Sequence, residues 1–243
     1  MKTGPLKMSY PLYIFFGLAP SIIWLLFFLR KDNHPESNRM VIKIFLYGML
    51  AAVPAALIEI GFFEKMNFLQ LPVSLVQIIY VFIGIALTEE MMKYYVVRKK
   101  VMRHSEMDEP VDIMLYMIIS ALGFAALENL LILLPLSNPF LFLETAVLSG
   151  FRFVGATFLH ALCSGLIGYF IAISISGPKR KRIRTFGLGI ALAVLLHGLY
   201  DFSIIQLEGN FKLAIPIMIL LGLTVFVSWG FRKVKKLKSV SKI

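Results

Sequence analysis

Apolar residues in this chain gather into seven long runs, which short polar or basic segments separate. A helix needs about 20 mostly apolar residues to cross roughly 30 Å of hydrocarbon, and helices are the only open-chain structures that satisfy backbone groups in lipid. The pattern therefore predicts an all-α, polytopic transmembrane helical bundle. Its predicted spans, numbered 1 to 7 in chain order, are Tyr10–Leu29, Met40–Phe63, Leu71–Val97, Val111–Leu134, Gly150–Ser176, Ile183–Gln206 and Phe211–Phe231.

The composition supports a membrane protein. Of the 243 residues, 58% are apolar, whereas a soluble domain contains about 45–50%. The spans leave no stretch for a folded aqueous domain, so we expect residues 1–243 to form a single membrane-embedded domain. Between spans 4 and 5, Pro135, Asn138 and Pro139 predict a turn and then a short interfacial or re-entrant helix within residues 135–149.

The net charge of +11 is concentrated at the ends of the spans. The loops after spans 1, 3 and 5 and the C-terminal tail carry 19 lysines and arginines, whereas the opposite side carries 4. The positive-inside rule then places the N-terminus outside and the C-terminus in the cytoplasm. This distribution points to a lipid bilayer as the partner of the basic residues and argues against nucleic acid.

Several ionisable residues lie within the predicted spans. Each costs several kcal/mol near the bilayer centre, and such residues usually mark function. Because lipid cannot solvate them, we expect them to face one another or a water-filled cavity. Glu59 fits no motif, and we expect its side chain to reach the membrane interface. The full set is Glu59, Glu89, Glu90, Lys93, Glu128, Arg152, His160, His197 and Asp201.

Helical spacing links some of these residues. Lys93 follows Glu89 by four positions and Glu90 by three, so either carboxylate can meet it on one helix face. Adjacent helix positions diverge by about 100°, so one glutamate can face a substrate water while the other pairs with Lys93. The sequence does not distinguish the two. His197 and Asp201 also share a face, which lets Asp201 orient the imidazole or share a ligand with it.

Four ordered motifs on four spans resemble those of the PrsW family, which belongs to the superfamily that contains the type II CAAX prenyl proteases. The match runs from about Leu71 to Phe202, within a motif-bearing core of residues 71–206. The superfamily often shows E-E-x-x-x-R and F-x-x-x-H, whereas this chain has Lys93 one position earlier and Glu128 in place of the histidine; both departures favour the PrsW branch. The motifs are Glu89-Glu90-x-x-Lys93, Gly123-Phe124-Ala125-Ala126-Leu127-Glu128-Asn129, His160-Ala161-x-x-Ser164-Gly165-x-x-Gly168-Tyr169 and His197-Gly198-x-Tyr200-Asp201-Phe202.

The resemblance implies an intramembrane endopeptidase of the bacterial cell membrane. It would make the first (site-1) cut in a single-span anti-sigma factor and so activate a stress-response sigma factor. In a glutamic mechanism, Glu89 and Glu90 would act jointly as general base and partner. His160 and His197 would stabilise the oxyanion or protonate the leaving amine. The predicted supporting residues are Lys93, Glu128, Asp201, Asn129 and Arg152.

Two other functions use similar residues. A proton- or cation-coupled transporter also needs buried acids and histidines, but the chain lacks an evident inverted repeat with broken helices. A metal-dependent protease is the other alternative, because Glu128, His160, His197 and Asp201 have ligand chemistry that suits zinc. No H-E-x-x-H signature is present, so we expect no cofactor and keep zinc as the alternative.

The predicted spans leave an axial gap in this site. In the predicted orientation Glu128, His160 and Asp201 fall in the outer halves of their spans, whereas Glu89 and Glu90 fall to the cytoplasmic side of the middle of span 3. The offset reaches roughly 10–15 Å at 1.5 Å per residue. A tilt of span 3, or a start nearer Val73 with a helix that continues past Arg98, would absorb much of it.

Overall fold

The structure is a computed structural model that describes residues 10–31, 36–102, 104, 107–133, 142–175 and 177–237. These residues form helices joined by short turns, and no strand occurs among them. The helices are α1 Tyr10–Leu29, α2 Asn38–Phe68, α3 Val73–Ile79, a π-helix Tyr80–Leu87, α4 Thr88–Lys100, α5 Pro110–Leu133, α6 Phe142–Val154, α7 Ala156–Ser174, α8 Lys179–Gln206 and α9 Phe211–Val234.

Seven helical segments in the described part of the chain are long and apolar enough to cross a membrane. This confirms the predicted number of spans and the all-α class. The protein is therefore a multi-pass membrane protein. The largest differences in bounds are in span 2, which continues to Phe68, and in span 5, which begins at Glu144 and runs to Ser174.

Span 3 is a composite helix. It runs from Val73 to Lys100 and contains the π-helix Tyr80–Leu87 between α3 and α4. Hydrogen bonds in a π-helix join residues five apart, so this segment rotates α4 relative to a continuous α-helix, and such segments often adjoin functional sites. The start at Val73 is one of the two changes that we expected to reduce the axial offset between the glutamates and the other site residues.

Span 5 has a break near its middle. Gly155 separates α6 from α7 and has φ −95° and ψ −96°, outside the helical region. The predicted short helix corresponds to Phe142–Val154, which is longer than expected and leads directly into α7. Residues 135–141 of the predicted segment lie outside the described residues. A side chain at Gly155 would collide with the Tyr200 hydroxyl, so glycine permits a close approach of α8 here.

The centre of the bundle is α5, whose residues are buried along nearly its whole length. It packs against α7, α2 and α1. Helix association in lipid depends on close packing rather than on the hydrophobic effect, which favours small residues at contacts. Two glycines allow α2 and α5 to approach at backbone distance: a Cβ on Gly48 would overlap the Ser120 carbonyl, and one on Gly123 would overlap the Phe45 carbonyl.

We expect Gly48→Ala to destabilise the protein because the added methyl group meets backbone rather than a movable side chain. Overpacking of this kind costs about 1–3 kcal/mol, which would lower the melting temperature in detergent by several degrees. Gly61→Ala on the same helix is the matched control, because no atom lies within 4 Å of the added Cβ. Equal melting temperatures for the two variants would contradict the proposed backbone contact.

Candidate active site

Charged and imidazole side chains from four helices meet inside the bundle. Glu89, Glu90 and Lys93 come from α4, and they are joined by Glu128 from α5, His160 from α7 and His197 from α8. Glu90 and Lys93 are fully buried, and Glu89, His160 and His197 are nearly so. Charges taken this far from water must be paired and hydrogen-bonded.

Lys93 lies at the centre of this group. Its Nζ is 2.8 Å from Glu90 Oε1, 3.0 Å from Glu89 Oε2 and 2.7 Å from His160 Nδ1. An ammonium has three N–H donors, so these three acceptors use all of them. The Nζ also lies 4.6 Å from the centroid of the Phe124 ring. Lys93 thus pairs with both glutamates and joins α4 to α7.

The carboxylate of Glu90 is occupied on both oxygens. Oε1 accepts from Lys93 and lies 3.0 Å from His197 Nδ1. Oε2 accepts a 3.0 Å hydrogen bond from the Ser164 hydroxyl. Glu90 therefore holds together α4, α7 and α8, and each of its oxygens already accepts a hydrogen bond.

The carboxylate of Glu89 is held on one oxygen only. Oε2 lies 3.0 Å from Lys93 Nζ, 3.5 Å from His160 Nδ1 and 3.7 Å from His197 Nε2. Among the described residues no donor contacts Oε1. Glu89 thus presents an unused acceptor beside two imidazoles.

His160 is fixed between a cation and an acid. Lys93 donates to Nδ1, so the ring hydrogen lies on Nε2, which donates to Glu128 Oε2 at 2.7 Å. The other Glu128 oxygen is 3.0 Å from Arg152 Nη2, although that nitrogen lacks the alignment of a hydrogen bond. The contacts define one ring orientation and one tautomer for His160.

His197 lies between two acids. Nδ1 faces Glu90, and Nε2 lies 3.3 Å from Asp201 Oδ2 one turn further along α8. The rings of His197 and His160 are nearly perpendicular, with centroids 5.1 Å apart. Asp201 is thus placed to orient the ring of His197, as its spacing predicted.

The remaining predicted residues form one flank of the site. Asn129 donates through Nδ2 to Thr157 Oγ1 at 3.0 Å, and its Oδ1 accepts from Arg152 Nε. The accessible flank is marked by Glu128 and Asp201, whose side chains are 28% and 23% exposed. All nine predicted site residues therefore lie in one connected network.

Longer helices close the axial gap between the glutamates and the other site residues. Span 5 begins at Glu144 and span 3 begins at Val73. His160 and Glu89 lie the same number of residues after these starts. The predicted start of span 5 at Gly150 was too late, because the amphipathic turns of α6 do not form one continuous apolar run. With the earlier start of span 5 and the slightly later start of span 3, direct contacts between α4 and α7 become possible.

The sequence interpretation missed two residues. Ser164 lies one turn after His160, so helical periodicity could have placed its hydroxyl on the site face. Glu59 does not fit the expectation that it reaches the interface, because its Oε1 is buried without a hydrogen-bond partner. The charged groups that act on its carboxylate are all members of the site: Glu89, Glu128, Lys93 and His197.

Three of these side chains have the chemistry of a metal site. One ligand atom each from Glu89, His160 and His197 lies within 4.8 Å of the other two. Two imidazoles and a carboxylate are a donor set that zinc accepts, and the acids behind both rings resemble the partners that orient metal-binding histidines. This group differs from the predicted ligands: Glu89 takes part, whereas Glu128 contacts the far nitrogen of His160 and Asp201 lies beside His197 Nε2 without belonging to the group.

The comparisons with known proteins agree with the motifs. A model described as "PrsW family intramembrane metalloprotease" matches residues 36–229. The chain is 29% identical over 227 residues to "Protease PrsW" of Bacillus subtilis (strain 168), covering 93% of this chain and 95% of that relative. It is 30% identical over 231 residues to "Protease PrsW" of Geobacillus kaustophilus (strain HTA426), covering 93% and 92%. No solved structure matches the chain.

We expect Lys93→Met to destabilise the fold strongly, because it leaves two buried carboxylates without their cation. Removing one partner of a buried ion pair costs about 3–5 kcal/mol. Unfolding in detergent measures the loss, and Glu90→Gln added to Lys93→Met should recover part of it. Lys99→Met, at an exposed position of the same helix, is the control. If the variants at 93 and 99 were equally stable, Lys93 would not be the cation that balances the site.

Proposed function

We propose that this chain, which belongs to the PrsW family and is an intramembrane protease, hydrolyses its substrate by glutamate chemistry. The observation that carries the proposal is the difference between the two adjacent glutamates. Both oxygens of Glu90 are engaged, whereas Glu89 Oε1 has no donor among the described residues. The general base is therefore Glu89, and Glu90 is its structural partner.

In this mechanism a water molecule lies against Glu89 Oε1 and attacks the scissile carbonyl. Glu89 takes a proton from the water as the new C–O bond forms. The Lys93 ammonium stays 3.0 Å from the other oxygen and keeps that carboxylate oriented. Because a general base contributes typically 10²–10⁴-fold to a rate, its loss should nearly abolish turnover.

The two histidines take the other roles. His197 Nε2 lies between Glu89 and the partly exposed Asp201, so this nitrogen is placed to donate a proton to the leaving amine. His160 is held by Lys93 and Glu128 at 2.7 Å on both sides, so its one N–H is engaged, and the ring serves to hold the Lys93 ammonium against Glu89.

The substrate in this proposal is a single-span membrane protein. Only one flank of the site has partly exposed side chains, those of Glu128, Asp201 and Arg152, so a locally unwound, extended segment fits better than a folded domain. The resemblance of the motifs favours an anti-sigma factor as the substrate class, with release of a stress-response sigma factor after the first cut.

A metal-dependent form of the same protease is the second candidate. The family description and the cluster of Glu89, His160 and His197 favour it, and a zinc ion bound there would supply Lewis-acid polarisation of the scissile carbonyl. Against it, the Lys93 ammonium already contacts two of these three residues. A divalent cation at this place would be repelled by the lysine, so we rank the metal-free mechanism first.

We expect Glu89→Gln to abolish cleavage of a co-expressed single-span substrate while the melting temperature stays close to that of the parent protein. Glu90→Gln should lower both activity and melting temperature, because Glu90 contacts Lys93, His197 and Ser164. Cleavage is measured by the size of a tagged substrate on gels. Glu64→Gln, at an exposed position of α2, is the control for loss of a carboxylate.

Two outcomes would contradict these assignments. Parent-like cleavage by Glu89→Gln would remove Glu89 as the base. Loss of activity in Glu90→Gln alone, with full stability, would exchange the roles of the two glutamates.

Metal content separates the two candidates. Elemental analysis of purified, active protein should find no stoichiometric zinc, and treatment with a chelator should leave the cleavage rate unchanged. One bound zinc per chain that disappears in His160→Ala and His197→Ala, together with activity that zinc restores after chelation, would establish the metal-dependent form instead.

A further inference from the structure

A cavity lies on the side of α7 that faces away from the active site. It encloses about 750 Å³ between α1, α7 and α9, within the size range of ligand pockets. Phe158 and Leu162 line it, each two residues from His160 and so on a different helix face. The rest of the wall is mostly apolar and aromatic, with Trp24, Phe27, Phe153 and Val227.

One end of this cavity is strongly basic. Lys31 just after α1, Arg232 in the last turn of α9 and Lys235 just after α9 line it, and among the described residues that line the cavity none is acidic. The Lys31 ammonium lies 4.7 Å from the centroid of the Phe27 ring, at the boundary between the basic and apolar parts. Basic pockets between transmembrane helices are suited to anionic lipid headgroups.

The length of the cavity fits the acyl chain of a lipid. From Thr224 to Lys235 the lining residues of α9 extend about 16 Å at 1.5 Å per residue, close to half of a bilayer core of roughly 30 Å. Ile23 and Phe27 are both lining and exposed, so the cavity opens sideways to lipid.

We propose that this cavity binds a phospholipid with an anionic headgroup. Its phosphate lies among Lys31, Arg232 and Lys235, and its acyl chain extends past Phe27 toward Trp24 and Phe158. Trp24 is itself fixed, because its indole Nε1 donates to the Phe153 carbonyl at 2.8 Å and its ring stacks on Phe158 at 4.0 Å. The apolar wall is thus preformed.

Trp24 provides a local probe of this site. The chain has two tryptophans, so Trp229→Phe leaves Trp24 as the sole tryptophan, which can be excited selectively at wavelengths that tyrosine does not absorb. The protein is reconstituted in zwitterionic nanodiscs that contain increasing fractions of brominated phosphatidylglycerol or, separately, of brominated phosphatidylcholine. We expect half-maximal quenching of Trp24 at a roughly tenfold lower fraction of the anionic lipid than of the zwitterionic lipid, because each basic residue near a headgroup adds to its attraction for an anionic lipid.

Two sets of variants locate the effect. The triple change Lys31→Gln, Arg232→Gln and Lys235→Gln should make the two lipids quench equally. The matched triple change Lys179→Gln, Arg180→Gln and Lys181→Gln removes the same charge from α8, outside the cavity, and should preserve the preference. Ser228→Phe, which fills the cavity and keeps its cations, should weaken quenching by both lipids.

Equal quenching by the two lipids in the parent protein would overturn the proposal. So would a preference that survives the first triple variant, because the attraction would then come from the general basic charge of that side. The readout does not depend on proteolysis, and the inactive Glu89→Gln variant should bind the lipid as the parent does.

Discussion

The structure depends on one buried ammonium. Lys93 satisfies all three of its N–H donors with Glu89, Glu90 and His160, and so makes two adjacent carboxylates tolerable in the middle of a membrane protein. The same bonds define the tautomer of His160 and leave one oxygen of Glu89 unused. The same ammonium therefore stabilises the buried carboxylates and prepares a general base.

The fold brings the four contributing helices to Lys93. Backbone contacts at Gly48 and Gly123 bring α2 against α5, and α5 carries Glu128 to the ring of His160. The π-helix before α4 sets the face on which the glutamates lie. Gly155 lets α8 approach span 5, so that His197 reaches Glu90 from the opposite side. The active site is thus assembled from helix contacts far from it in sequence.

Much of this was predictable from the sequence, because lipid imposes a simple rule on span length and on buried charge. The seven spans and the gathering of the acids and histidines follow from it, and the family match agrees with the motifs. The start of span 5 could not be predicted from the length of an apolar run, because an amphipathic turn before Gly155 interrupts that run. The division of labour between Glu89 and Glu90 also required three-dimensional contacts: Ser164 and His197 engage Glu90 from other helices. Glu59 belongs to no motif, so the sequence did not indicate whether its carboxylate is buried, as the structure has it, or lies at the membrane interface.

An experimental density map of the protein in lipid nanodiscs, fine enough to place side chains, tests the central claim most directly. The account predicts that Lys93 Nζ lies within hydrogen-bond distance of Glu89, Glu90 and His160, with a water against Glu89 Oε1. A lysine turned away from these acceptors, with a metal ion between Glu89, His160 and His197 in its place, would contradict it.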